Sequence, residues 1–166
     1  MKAMFKNLAV SALVFLTASC GFAQNTPAIA PDFTVEDLNG RSVSLSDYKG
    51  KPVILLFWTV SCKICERELK SLPAMYADIK NSGVEFMMIN IADPKYRVEN
   101  FLSTYGLDFD VLLDKEARAA YSYNIPGVPT YFVIDKNGEI IAEDYTFPAA
   151  EYKRLRSEAG GAAAHE

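Results

Sequence analysis

Cys62 and Cys65, separated by Lys63 and Ile64, belong to a chain of 166 residues that holds only three cysteines and one histidine. The third cysteine, Cys20, lies in the N-terminal segment, which leaves Cys62 and Cys65 as the one pair in the remainder. Extracytoplasmic domains held together by disulfides carry several well-separated bridges. A bridge between Cys62 and Cys65 closes so small a loop that it constrains the unfolded chain very little. The spacing therefore points to chemistry, not to scaffolding. An apolar run of strand length, residues 52–58, precedes the pair, and a helical pattern begins at Cys62. At the start of a helix the free N–H groups favour an anion, and thiol pKa values in such motifs fall from about 8.5 to roughly 3.5–7.5. A Cys62 thiolate there could attack a disulfide, and Cys65, one turn further in and more buried, could resolve the mixed disulfide. Half of a zinc site is the competing reading. It needs two more ligands, and the only histidine is His165.

Composition narrows the remaining classes. With 50% hydrophobic and 23% charged residues the chain has the make-up of one globular domain. The formal charge is −4 with no Lys/Arg cluster, so a nucleic-acid partner has no electrostatic footing. A single histidine excludes Ser-His-Asp chemistry and His-ligated metals, and no metal is expected. Residues 1–23 read as a secretory signal peptide. Lys2 and Lys6 form its basic region, residues 8–18 its apolar region, and Gly21-Phe22-Ala23 its cleavage site. Ala18-Ser19-Cys20-Gly21 offers a second reading, a lipoprotein box that would end the leader at residue 19 and lipidate Cys20; Thr17 stands where such boxes usually have Leu. Either way the chain is expected in the periplasm or cell envelope. Residues 24–30 read as a linker, 31–158 as the domain and 159–166 as a flexible tail.

The elements that must position the cysteines follow from pattern. Residues 32–37 and 42–45 alternate around Asn39-Gly40, which predicts a hairpin with a primed turn. Residues 46–50 suggest one helical turn. The run 52–58 (Pro-Val-Ile-Leu-Leu-Phe-Trp) predicts a strand buried on both faces. A helix is expected over 62–80, with Leu69, Leu72, Tyr76 and Ile79 on one face and a kink at Pro73. Residues 84–91 read as a second buried strand. Pro94 then opens a helix that Gly106 ends. A short strand (111–113), a short helix (115–123), a hairpin (130–134 and 139–143) and a last helix (148–157) complete an α/β chain: a mixed sheet flanked by helices. Asp108, Asp110 and Asp114 read as solvated loop acids.

The run Phe57-Trp58-Thr59-Val60-Ser61-Cys62-Lys63-Ile64-Cys65, followed by Glu68 and later by Val128-Pro129-Thr130, resembles the thioredoxin-like superfamily. Within it the chain is similar to the TlpA/ResA branch of extracytoplasmic thiol-disulfide oxidoreductases. The likeness extends over residues 30–157 and takes in Ala30-Pro31-Asp32-Phe33 and residues 132–138. It implies a thioredoxin-like fold with an N-terminal β-hairpin extension. It also implies a Cys62–Cys65 pair cycling between dithiol and disulfide without a metal or organic cofactor. By the same resemblance Pro129 matches a cis-proline beside the pair that lets the preceding backbone meet substrate. Glu68 matches an acid kept near the thiols, and Trp58 matches an aromatic before the loop. From its residue type alone Glu68 also reads as a solvated first-turn glutamate, and Trp58 as core packing. Lys63 is a candidate to favour the Cys62 thiolate by its charge. Partners implied are protein thiols and disulfides and a membrane electron donor, with a monomeric chain and a reductant's role akin to cytochrome c maturation. The chain departs from the pattern at Ser61, where Trp is usual, at Ile64, where Pro is common, and at Leu56, where thioredoxin keeps a buried Asp. A thiol oxidant or isomerase remains open. So does a peroxidase: Thr59-x-x-Cys62 fits a peroxiredoxin site, but Leu55 replaces its proline and Cys65 is extra.

Overall fold

The apolar run after Pro52 becomes the centre of the molecule. In the computed structural model, which describes residues 28–162, Val53–Trp58 is a strand whose side chains are all buried. It pairs in parallel with Glu85–Ile91 and antiparallel with Thr130–Ile134. Neither its faces nor its edges meet water, which is why the run is apolar without alternation.

In chain order the strands are β1 (Ala28–Ile29), β2 (Thr34–Asp37), β3 (Ser42–Ser44), β4 (Val53–Trp58), β5 (Glu85–Ile91), β6 (Val111–Asp114), β7 (Thr130–Ile134) and β8 (Glu139–Asp144). The helices are α1 (Lys63–Ser71), α2 (Pro73–Lys80), α3 (Lys95–Tyr105), α4 (Arg118–Ser122) and α5 (Ala149–Ala162), with a 3₁₀ turn at Leu45–Tyr48. One eight-stranded mixed sheet results, in the order β1-β8-β7-β4-β5-β6-β2-β3. Alternate residues of β4 feed two cores. Ile54, Leu56 and Trp58 pack with Cys65, Leu69 and Tyr76 on one face, and Val53, Leu55 and Phe57 pack with Ala119, Tyr123 and Phe132 on the other. Each large apolar side chain buried this way contributes roughly 1.5–3 kcal/mol.

The expected helix over 62–80 is present as two. Pro73 has no N–H to give Leu69, so the Leu72 N–H bonds the Leu69 carbonyl at 3.2 Å instead, and α2 starts afresh with proline in its first turn. Leu69, Leu72, Tyr76 and Ile79 are all buried, as their spacing predicts.

Four details differ from the sequence pattern. The β2–β3 hairpin pairs Thr34 with Ser44 and Glu36 with Ser42, but its turn is not a primed one. The Asp37 N–H bonds the Arg41 carbonyl, and only Gly40 takes a left-handed φ (+81°), so residues 38–40 span the loop and Asn39 keeps a negative φ. Within the linker, Ala28 and Ile29 add an edge strand opposite Ile140 and Glu139, a backbone pairing too short to leave a side-chain pattern. The helix expected over 115–123 shrinks to α4 because Ala117 turns left-handed (φ 55°). Finally, α5 runs past Ser157 to Ala162, so the supposed tail from 159 begins inside a helix. The leader with both cleavage readings, Cys20, and residues 163–166 with His165 lie outside the described residues. Among those described, no helix is long and apolar enough to cross a membrane.

Candidate active site

Residues 59–61 join β4 to α1 and bring Cys62 to the N-cap of α1 in an extended conformation (φ −80°, ψ 110°). Cys62 and Cys65 form a disulfide with Cα atoms 5.2 Å apart. The Cys65 N–H donates to Cys62 Sγ at 3.0 Å, so the sulfur satisfies one of the free donors that open the helix. Cys65 is 1% exposed, whereas Cys62 is only partly buried. A molecule arriving from solvent meets Cys62 first.

The start of β7 lies against the pair. Cys62 Sγ is 3.4 Å from the Val128 carbonyl oxygen, and the Val128–Pro129 peptide is cis. The Thr130 hydroxyl donates to the Gly127 carbonyl at 2.7 Å and closes the approach loop. Pro129 therefore stands beside the disulfide, where the resemblance expects it.

Lys63 turns elsewhere. Its ammonium lies 3.0 Å from Glu66 Oε2, and Lys70 lies 2.7 Å from Glu66 Oε1. Hydrogen bonds from Lys70 first, then Lys63, hold the Glu66 carboxyl down from its usual 4.5 to about 2. The Lys63 charge is matched by that carboxylate rather than presented alone to Cys62.

Glu68 is not a solvated first-turn glutamate. One of its oxygens, Oε1, accepts the Tyr131 O–H at 3.0 Å and the Phe147 N–H at 3.1 Å, which ties α1 to β7 and to the segment before α5. Its position three residues after Cys65 puts it on the same side of α1. Burial, and then the neighbouring Glu68 charge, push the Tyr131 phenol far above its usual 10, so it stays a donor. Trp58 is wholly buried against Phe101, with ring centroids 5.3 Å apart, and acts as packing beneath the loop. Its Nε1–H has no partner among the described residues.

Of the three aspartates, Asp108 and Asp110 are exposed, as expected, and only Asp114 departs from a solvated loop acid. Asp110 accepts from Tyr76 and Lys80, and buried Asp114 accepts the Ala120 N–H at 2.9 Å. Among the described residues no group of three His, Cys, Asp or Glu side chains is arranged to hold a metal ion.

Sequence reasoning missed Asn90, Asp93 and Tyr131. Asp93 Oδ2 accepts the Val60 N–H at 2.7 Å and an Asn90 amide hydrogen at 3.1 Å. The available signal was Asn90 itself, a lone amide in an otherwise apolar run.

A mixed sheet whose central strand leads into a helix capped by a Cys-x-x-Cys pair, with a cis-proline strand alongside, defines a thioredoxin-like protein. The chain belongs to the AhpC/TSA family, whose model matches residues 27–143. It is 44% identical over 111 residues to the thiol-disulfide oxidoreductase ResA of Geobacillus kaustophilus (strain HTA426), an alignment covering 67% of this chain and 64% of that protein. It spans just under two thirds of the length of the curated relatives it matches. Among solved structures it is similar to a thiol:disulfide interchange protein from Bacteroides sp. (TM-score 0.68, 28% identity, 82% of this chain and 91% of that one). It is also similar to a thioredoxin-family thiol:disulfide interchange protein from Chlorobium tepidum TLS (TM-score 0.66, 26% identity, 82% and 99%). The likeness to ResA-type proteins drawn from the motifs is thereby borne out.

Proposed function

We propose that this chain is an extracytoplasmic thiol-disulfide oxidoreductase that reduces protein disulfides through Cys62 and Cys65. The observation that carries the reading is the N-cap geometry, in which the Cys65 N–H points at Cys62 Sγ, that sulfur also lies against the Val128 carbonyl, and Cys62 is only partly buried. In the reduced protein the same N–H stabilises a Cys62 thiolate. The thiolate attacks one sulfur of a substrate disulfide, forms a mixed disulfide, and the other substrate sulfur leaves as a thiolate. The Cys65 thiol, as its thiolate, then attacks Cys62 Sγ. The second substrate sulfur leaves, the Cys62–Cys65 disulfide forms, and the substrate has gained two electrons and two protons. A membrane dithiol donor restores the pair by the reverse exchange, because the surrounding compartment is oxidising. Pro129 and the Val128 backbone guide the substrate, and Glu68, held by Tyr131, stands by the resolving cysteine's side of α1. The chain acts as a monomer, exported by its leader or anchored at Cys20, and needs no cofactor beyond the cysteine pair.

Equilibration of the mature protein in thiol/disulfide buffers, read by Trp58 fluorescence, tests this. A potential near about −250 mV or below is expected for a reductant. A value of about −120 to −180 mV overturns the direction in favour of an oxidant or isomerase. Rapid peroxide consumption by the dithiol form, with no exchange on protein disulfides, overturns the class.

A further inference from the structure

The turn that carries Cys62 is held from the C-terminal end of β5. Asn90, near the end of β5, is 1% exposed. Its side-chain oxygen accepts the Asp93 N–H at 3.3 Å and its amide donates to Asp93 Oδ2 at 3.1 Å. The same Asp93 oxygen accepts the Val60 N–H at 2.7 Å, and the other oxygen faces Arg97 at 3.5 Å. The Asp93 side chain is 9% exposed. Between Asn90 and Asp93 the backbone passes through a left-handed Ala92 (φ 55°), a conformation that costs a non-glycine residue of order 1–2 kcal/mol. A buried amide, a strained bend and a short charged hydrogen bond thus converge on one N–H, that of Val60.

This N–H lies inside the turn closed by the Cys62 N–H and the Thr59 carbonyl at 3.3 Å. The plainer role for an acid at this position is to cap α3. It makes no such bond: α3 has no side-chain cap, and the Arg97 and Val98 N–H groups both reach the Pro94 carbonyl. Asp93 serves the cysteine turn.

We propose that Asp93 is a positioning residue for Cys62. Through the Val60 N–H it fixes the turn of residues 59–62 and so keeps Cys62 Sγ on the Cys65 N–H, where the start of α1 stabilises the thiolate. The inference rests on the thiol-exchange reading above. Two effects of Asp93 oppose one another: its hydrogen bond holds the thiolate in place, while its negative charge disfavours the thiolate. Asp93→Ala removes both, and Asp93→Asn removes the charge but keeps an acceptor oxygen for Val60.

The test is the rate of first alkylation of the reduced protein by iodoacetamide across pH, with thermal unfolding measured alongside. The wild-type profile is expected to show a thiol titrating well below 8.5. Asp93→Ala is expected to raise that value by about one unit, so alkylation below both midpoints slows about tenfold. Asp93→Asn is expected to restore the wild-type profile or move it slightly lower. Asn90→Ala, which removes the support of the carboxylate but not the carboxylate, should shift the profile in the same direction as Asp93→Ala by less, and it decides the matter should Asp93→Ala not fold. Lower melting temperatures with unchanged profiles overturn the inference and leave Asp93 a stabilising residue. A fall in both Asp93 variants overturns it as well, because charge alone is then acting. A wild-type thiol at about 8.5 overturns the thiol-exchange reading itself, and the inference with it.

Discussion

One oxygen of Glu68 serves two donors that lie far off in the chain, the Tyr131 hydroxyl and the Phe147 N–H. Tyr131 has no exposed surface, so its hydroxyl has no water to turn to when the carboxylate is removed. Glu68→Ala is therefore expected to cost ~1–3 kcal/mol, the usual penalty of an orphaned buried donor. Tyr131→Phe removes the donor along with its need and should cost only ~0.5–1.5 kcal/mol. The double variant should lose less than the sum, because without the hydroxyl there is less for the missing carboxylate to orphan. Urea unfolding of the four proteins measures this, and strict additivity would show that the pair is not coupled. The cysteines were legible in the sequence because their chemistry lies in their type and spacing, and Pro129 was legible through the family resemblance alone. The partners of Glu68 and Val60 were not, because which donor meets which acceptor depends on where separate strands end.

Elements read from pattern survive where the pattern spans several turns or a whole strand, as in residues 52–58 and the Leu69, Leu72, Tyr76, Ile79 face. They fail where a few backbone bonds decide, as at the two-residue β1 and the start of α4. Contact between distant elements is equally hidden. The turn between α2 and β5 contains Gly83 at φ +79°, and a Cβ built there lies 3.1 Å from Ala159 Cβ of α5. Gly40, in the β2–β3 turn, has a similar φ of +81° but nothing within 4 Å. Gly40→Ala should therefore carry only the left-handed penalty of roughly 1–2 kcal/mol. Gly83→Ala should carry that penalty and a steric one besides, and Ala159→Gly in the same chain should remove the excess. Urea midpoints for the three variants check it. Equal losses at Gly40 and Gly83 would mean that α5 does not rest on this turn.

On the scale of the whole molecule the sheet divides the interior in two, and the cysteine pair belongs to one side. Helix α1 packs with Cys65 and Leu69 onto the face that holds Leu56 and Trp58, while α4 packs Ala119 and Ala120 onto the face that holds Leu55 and Phe57. Val128 touches both clusters, so the carbonyl beside Cys62 sits at the seam between them. Leu55 and Leu56 are neighbours in sequence, and each is wholly buried, but on opposite faces. Truncating either to Ala should cost a similar ~2–5 kcal/mol, since both leave a cavity in a packed core. Only Leu56→Ala opens its cavity beside Trp58, the single tryptophan of the chain, and it should alone shift the native emission. Leu55→Ala should lose comparable stability with the emission unchanged, because the sheet itself stands between that cavity and the indole. An emission shift in Leu55→Ala equal to that in Leu56→Ala would contradict the partition. It would also remove the ground for assigning the cysteine pair to one core.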